Sequence, residues 1–268
     1  MNILMAASDN MYDGLELVVY STMAHNKNVH FYIMTMEIHL ELEYGYSDFF
    51  RISDEHIRDL NKIIKYFDPN SDLTMVYAEE CYAKYLEGNP NEKSGFTPFT
   101  DLRLLADLLL PELNDCLYLD CDVSVQDNLQ DMYYYYLSKC DDYAAYSIPE
   151  ACDYEGEMVA GVLLMNLAHM RKSGFLKNAR KNIWHNHYRF PDQMAIRDAG
   201  SPYPMAETYN YMFELTERNY MPAIIHYTNK LNPKVYESGK KVIFYRKYPF
   251  LQYVQDGVKL LKNLPLYY

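Results

Sequence analysis

The chain has 268 residues, 49% of them hydrophobic and 23% charged, a length and balance that suit one α/β domain with a sizeable core and a small appendage. A formal net charge of −12 argues against nucleic acid as a partner over most of the surface, and no run of 18 apolar residues predicts a membrane span. Met1-Asn2-Ile3-Leu4 enters a strand with no basic segment before it, and five cysteines lack paired spacing, so reduced thiols and a cytoplasmic location are predicted.

Residues 2–7 read as a short apolar strand. Ser8-Asp9-Asn10 then opens a helix with Leu15, Val18, Val19, Thr22 and Met23 on one face. Val29 to Met34 is a second buried strand, which completes a βαβ unit. A nucleotide would sit at the turn after the first strand, but the absence of Gly-x-Gly-x-x-Gly there counts against a dinucleotide cofactor. Glu37 to Phe50, acidic and aromatic, is predicted as a loop or insertion. Ser53 caps a helix carrying Ile57, Leu60, Ile64 and Phe67, and Leu73 to Tyr77 is a third strand. Residues 89–94, edged by Gly88 and Pro90, read as a flexible surface loop, and a helix is predicted from Thr100 to Leu110.

Cys116-Leu117-Tyr118-Leu119 then reads as a fully buried strand of a parallel sheet, ending in Asp120-Cys121-Asp122. Ligands of such sheets bind off the carboxyl ends of the strands. Residues i and i+2 of an extended chain project the same way, so both carboxylates can reach one cation. In isolation, two solvated aspartates capping a strand would look the same.

A short helix follows within 127–136. Strands are predicted at 142–147 and 159–166, the second with a close-packing Gly161. Helices are predicted near 167–174 and 176–186, and another opens at Pro191-Asp192-Gln193. Ala223 to His226 is a last buried strand. From residue 239 the character changes. Lys240, Lys241, Arg246, Lys247, Lys259 and Lys262 stand against a single acid, Asp256, among the aromatic residues Phe244, Tyr245, Tyr248, Phe250, Tyr253, Tyr267 and Tyr268. A catalytic domain over 1–238 and a basic aromatic tail over 239–268 follow, the tail packing on the domain or lying on an anionic membrane surface.

Together these motifs resemble the family 8 glycosyltransferases, retaining enzymes that include bacterial lipopolysaccharide galactosyl- and glucosyltransferases and glycogenin. The resemblance implies one Rossmann-like nucleotide-sugar-binding domain of the glycosyltransferase A type, with a mostly parallel central sheet and a small helical tail. The segment Ala6-Ala7-Ser8-Asp9-Asn10-Met11-Tyr12 is similar to the family's first motif. It implies that Asp9 bonds the uracil edge and Tyr12 stacks on the ring, with Ala6, Ser8 and, after the Cys116–Leu119 strand, Cys121 lining the nucleotide. Arg103 stands where the family's arginine reaches the donor sugar and its aspartate neighbours. Ala160 to Leu167 (AGVLLMNL) and Asp192-Gln193 match the family's donor-sugar motifs, and His226 matches its third metal ligand.

The implied site is therefore a metal on Asp120, Asp122 and His226, with Asp192, Gln193 and Arg103 as the catalytic set. An imidazole beside two carboxylates suits Mn²⁺ better than Mg²⁺, the alternative cation. The implied reaction moves glucose or galactose from a UDP-sugar to a glycan hydroxyl, in cell-surface polysaccharide synthesis, with an acceptor carried on a lipid fitting a protein peripheral to the inner face of the membrane. Five positions depart from the family: Val159 for asparagine, Met194 for a frequent aspartate, Asn229 for glycine, Lys234 for tryptophan, and Asn232 for a phosphate-binding lysine, whose charge Lys230 or Lys234 would have to replace. Val159, Met194 and Asn232 leave open a second reading, a non-catalytic nucleotide-sugar-binding partner of an active transferase. The haloacid dehalogenase-like phosphatases share the strand-Asp-x-Asp pattern, but there it ends the first strand, whereas here a long α/β stretch precedes it.

Overall fold

The computed structural model describes residues 1–42, 45–94, 96–147, 158–212 and 221–227. The chain opens with β1 (Asn2–Ala6), α1 (Tyr12–His25) and β2 (His30–Thr35), and β2 pairs in parallel with β1. A hairpin of β3 (Ile38–Leu42) and β4 (Gly45–Phe49) follows where a loop is predicted. Its first strand is written in the sequence as the alternation Ile38, Leu40, Leu42, which suits a half-exposed antiparallel pair. Next come α2 (Asp54–Phe67), β5 (Asp72–Tyr77) and α3 (Glu79–Tyr85). Ser53 caps α2 as predicted, its Oγ accepting the backbone N–H of His56 at 3.3 Å.

The segment predicted as a flexible surface loop is a set of turns anchored by a buried Asn91. Its Nδ2 donates to the Ile183 and Asn186 carbonyls at 2.8 and 2.9 Å, and its Oδ1 accepts the Tyr188 N–H at 2.7 Å. The helix predicted at 100–110 splits into a 3-10 segment (Thr100–Leu105) and one turn of α-helix, α4 (Ala106–Leu109). The chain continues through β6 (Cys116–Leu119), β7 (Val123–Val125), α5 (Gln130–Leu137), β8 (Tyr143–Ser147), β9 (Met158–Met165), α6 (Leu167–Ser173), α7 (Phe175–His185) and α8 (Pro191–Ala199). It ends, among described residues, with β10 (Tyr203–Pro204), β11 (Tyr211–Met212) and β12 (Ile224–His226).

Among the described residues, seven strands form the main sheet in the order β10-β8-β9-β6-β1-β2-β5, and only β9 runs antiparallel to its neighbours. Alternate residues of β1 show why both faces are covered. Ile3 and Met5 pack with Leu15, Val18 and Val19 of α1 and Leu60, Ile63 and Ile64 of α2. Leu4 and Ala6 point the other way, into a cluster with Leu102, Leu105, Leu176 and Ile183. A second sheet, β11-β12-β7, holds the strand that the sequence predicts at 223–226. No helix among the described residues is long and apolar enough to cross a membrane, and Cys81, Cys116, Cys121 and Cys140 are free thiols. The tail predicted at 239–268, and the positions Asn229, Lys230, Asn232 and Lys234, lie outside the described residues.

Candidate active site

The two aspartates do not sit on an extended strand. After Leu119 the chain turns at Cys121 and Asp122, because β6 belongs to the main sheet and β7 to the small one. The turn, rather than strand pleating, carries both carboxylates to one side. Helix α1 packs directly on this turn: a Cβ at Gly14 would lie 2.3 Å from the Cys121 carbonyl oxygen, so only glycine permits the approach.

The small sheet delivers the third group. Strand β12 pairs antiparallel with β7, setting His226 opposite Val123, and the Tyr227 N–H donates to the Asp122 carbonyl at 2.9 Å. His226 Nε2 then lies 3.3 Å from Asp122 Oδ1, and one ligand atom each of Asp120, Asp122 and His226 falls within 4.8 Å of the others. These are a hard-and-borderline donor set, two carboxylates and an imidazole, that fits a divalent cation. The other ring nitrogen, Nδ1, is 3.0 Å from Asn210 Oδ1, and Asn210 Nδ2 donates to the Val159 carbonyl at 3.1 Å. In the neutral ring this acceptor keeps the proton on Nδ1 and turns Nε2 toward the aspartates. Asn210 is wholly buried, and no motif in the sequence singles it out. Burial resists charging the imidazole, but the Asp122 and Asp120 carboxylates outweigh it and raise its pKa above the ordinary value.

Arg103 is no surface ion pair. It is 1% exposed, donates to Asp120 Oδ1 at 2.6 Å through Nη2 and to the Ala160 carbonyl through Nη1, and its Nε lies 3.1 Å from Asp192 Oδ2. The guanidinium stands 4.1 Å over the Tyr118 ring, and the Tyr118 hydroxyl donates to the same Asp120 oxygen at 2.9 Å. Burial lifts the Asp192 carboxyl above the usual range and Asp120 adds to the rise, against the pull of Arg103. Beside Asp192, Gln193 Oε1 accepts the Ala160 N–H at 3.0 Å, which ties the first turn of α8 to β9. A further carboxyl, Asp101, is buried behind this group. Its Oδ1 has no hydrogen-bond partner among the described residues, and burial together with Asp192 pushes its pKa well up.

At the end of β1, Asp9 Oδ1 accepts the Ser53 N–H at 2.9 Å and lies 2.6 Å from His56 Nδ1. Tyr12 is buried, its hydroxyl donating to Glu16 at 2.7 Å. Ser8 is fully buried, and its Oγ has no hydrogen-bond partner among the described residues. The Cys121 thiol turns inward to the Ala6 carbonyl at 3.5 Å. The structure thus gathers the predicted residues into two adjoining groups. Asp120, Asp122, His226, Arg103, Asp192 and Gln193 make one, and Ala6, Ser8, Asp9, Tyr12 and Cys121 make the corner beside it.

A mostly parallel sheet wrapped by helices, with its acidic cluster off the carboxyl ends of the central strands, defines a glycosyltransferase A-type fold. Solved structures share it. A galactosyltransferase LgtC in complex with donor and acceptor sugar analogs superposes with a TM-score of 0.66 at 18% identity, covering 99% of this chain and 98% of that one. GlyE of Streptococcus pneumoniae TIGR4 gives 0.63 at 17% identity, over 87% of this chain and 55% of its own. In sequence, the glycosyltransferase GlyA of S. pneumoniae serotype 4 (strain ATCC BAA-334 / TIGR4) is 27% identical over 254 residues, 86% of this chain. The chain spans 32% of GlyA's length. Residues 2–233 match the profile of Glycosyl transferase family 8, and the chain belongs to that family.

Proposed function

We propose that the chain transfers a hexosyl group, glucose or galactose, from a UDP-sugar to a glycan hydroxyl with retention of configuration, using Mn²⁺ in preference to Mg²⁺. The observation that carries this reading is the convergence of Asp120, Asp122 and His226 at the carboxyl ends of β1 and β6. Those three residues would hold the cation, which when bound supplies Lewis-acid neutralisation of the charge that develops on a departing diphosphate.

The chain's own residues do the rest. Arg103 fixes Asp120 and Asp192 in one hydrogen-bonded unit and contributes a permanent, buried positive charge. Asp192 and Gln193 lie on the sugar side, where their oxygens stabilise an oxocarbenium-like transition state. Gln193 is a poor nucleophile, and its amide oxygen already accepts the Ala160 N–H, which supports attack from the leaving-group face over a covalent intermediate. Asp9 and Tyr12 take the uracil, with Ser8 and the backbone of Ala6 and Cys121 beside it.

A lipid-linked glycan acceptor, a basic tail on an anionic membrane, a cytoplasmic location and a role in cell-surface polysaccharide synthesis belong to the same proposal. The test is a panel of UDP-sugars with Mn²⁺, scored by UDP release. Release from one UDP-hexose well above the others is expected. Release from none overturns the reading, and UDP binding without release would mark the non-catalytic partner instead.

A further inference from the structure

The Asp9–Tyr12 corner holds a ring that no sequence motif includes. His56 is the third residue of α2, its backbone N–H taken by Ser53 Oγ. Helical side chains lean toward the helix N-terminus, and this carries the imidazole back over the start of α1. There it stacks on Tyr12 with ring centroids 3.6 Å apart and planes inclined by 5°, while Nδ1 lies 2.6 Å from Asp9 Oδ1. The Ser53 N–H on the same oxygen and the Asp9 N–H on the Phe50 carbonyl, 2.9 Å each, fix the carboxylate from behind.

A flat π face against tyrosine and a ring N–H on a carboxylate are what a pyrimidine base with an N–H between two carbonyls would offer this corner. The His56 imidazole presents both. We infer that His56 is a stand-in for the nucleobase: it lies across the base subsite and has to swing aside before the donor nucleotide seats. The inference rests on the reading that a uracil goes to Asp9 and Tyr12. Exposure says which ring moves. Tyr12 is 4% exposed, whereas the His56 side chain is 29% exposed, so the covering ring has a route to solvent and its platform does not. His56 thereby sets donor affinity by competing for the same two partners.

The test is calorimetric titration of UDP with Mn²⁺ into the wild-type protein and into His56→Ala and His56→Asn, with inorganic diphosphate and Mn²⁺ titrated in parallel. Removing a competitor worth one stack and one hydrogen bond should tighten UDP by about tenfold in both variants. Diphosphate carries no base, so its affinity should not change. The asparagine variant keeps a polar group in the first turn of α2 and serves if the alanine variant fails to fold. UDP binding that is weaker or unchanged in the variants overturns the inference and makes His56 a platform or a bystander, with the UDP reading intact. An equal gain for diphosphate also overturns it. Wild-type and variants that all fail to bind UDP overturn the UDP reading itself.

Discussion

At the scale of single residues the site is a chain of charges, each buried group answering the next. Arg103 stands between Asp120 and Asp192, so replacing it removes the one cation that both carboxylates share among the described residues. Arg103→Met should cost about 3–5 kcal/mol of stability, since breaking a buried pair strands its partner; chemical denaturation measures it, and a loss below 1 kcal/mol would show the pair to be dispensable. Asn210 works through His226. Asn210→Ala should weaken Mn²⁺ binding by about 10- to 100-fold, as loss of a group orienting a ligand does, with unfolding checked separately. His226 gives a pH dependence whose sign can be fixed. Its folded pKa lies above the ordinary 6.5, so in the metal-free protein its stabilisation is full below the unfolded value and fades as pH rises through the folded one. Metal binding needs the neutral ring and should strengthen over the same window. Thermal unfolding with and without Mn²⁺ across that range should therefore show opposite slopes.

At the scale of elements, the site depends on two sheets meeting at one turn. Strand β9 passes beneath His226 so closely that a Cβ on Gly161 would lie 2.2 Å from the imidazole Cε1. Gly161→Ala should displace the ring, cost about 1–3 kcal/mol as overpacking does, and reduce Mn²⁺ affinity with no ligand removed. Wild-type affinity in that variant would mean that the ring position is not set by β9. This glycine is visible in the sequence as a close-packing residue, but its neighbour is not, because the contact joins β9 to β12 across a stretch of chain that periodicity does not describe. The same limit explains the turn at Cys121. Four apolar residues in a row identify β6, yet whether Asp122 stays in the strand depends on β7 pairing with β12, a non-local fact. Asn91 and Asn210 were equally hidden: polar residues that look like surface become buried because their amides satisfy backbone carbonyls. The β3–β4 hairpin falls where a loop is predicted, because the acidic and aromatic residues of 37–50 mask the alternation of Ile38, Leu40 and Leu42.

At the scale of the molecule, the fold class and the two strand-end motifs were legible because buried parallel strands leave long apolar runs, and ligands collect at their carboxyl ends. What motifs alone do not carry is how the parts lock. Asp9 and Tyr12 can be picked out by position, but only the packing of α1 against α2 shows His56 lying across them. In the proposed reading one cation is gripped by Asp120, Asp122 and His226, groups from a strand end, a turn and a second sheet. That grip is tested most directly by following Mn²⁺ binding by electron paramagnetic resonance in the wild type, Asp122→Ala and His226→Ala, with UDP release from a UDP-hexose measured on the same samples. One ion per chain is predicted for the wild type. Each variant should lose affinity sharply, and Asp122→Ala should lose turnover by orders of magnitude, equivalent to several kcal/mol. Wild-type Mn²⁺ binding and turnover in Asp122→Ala would contradict the account.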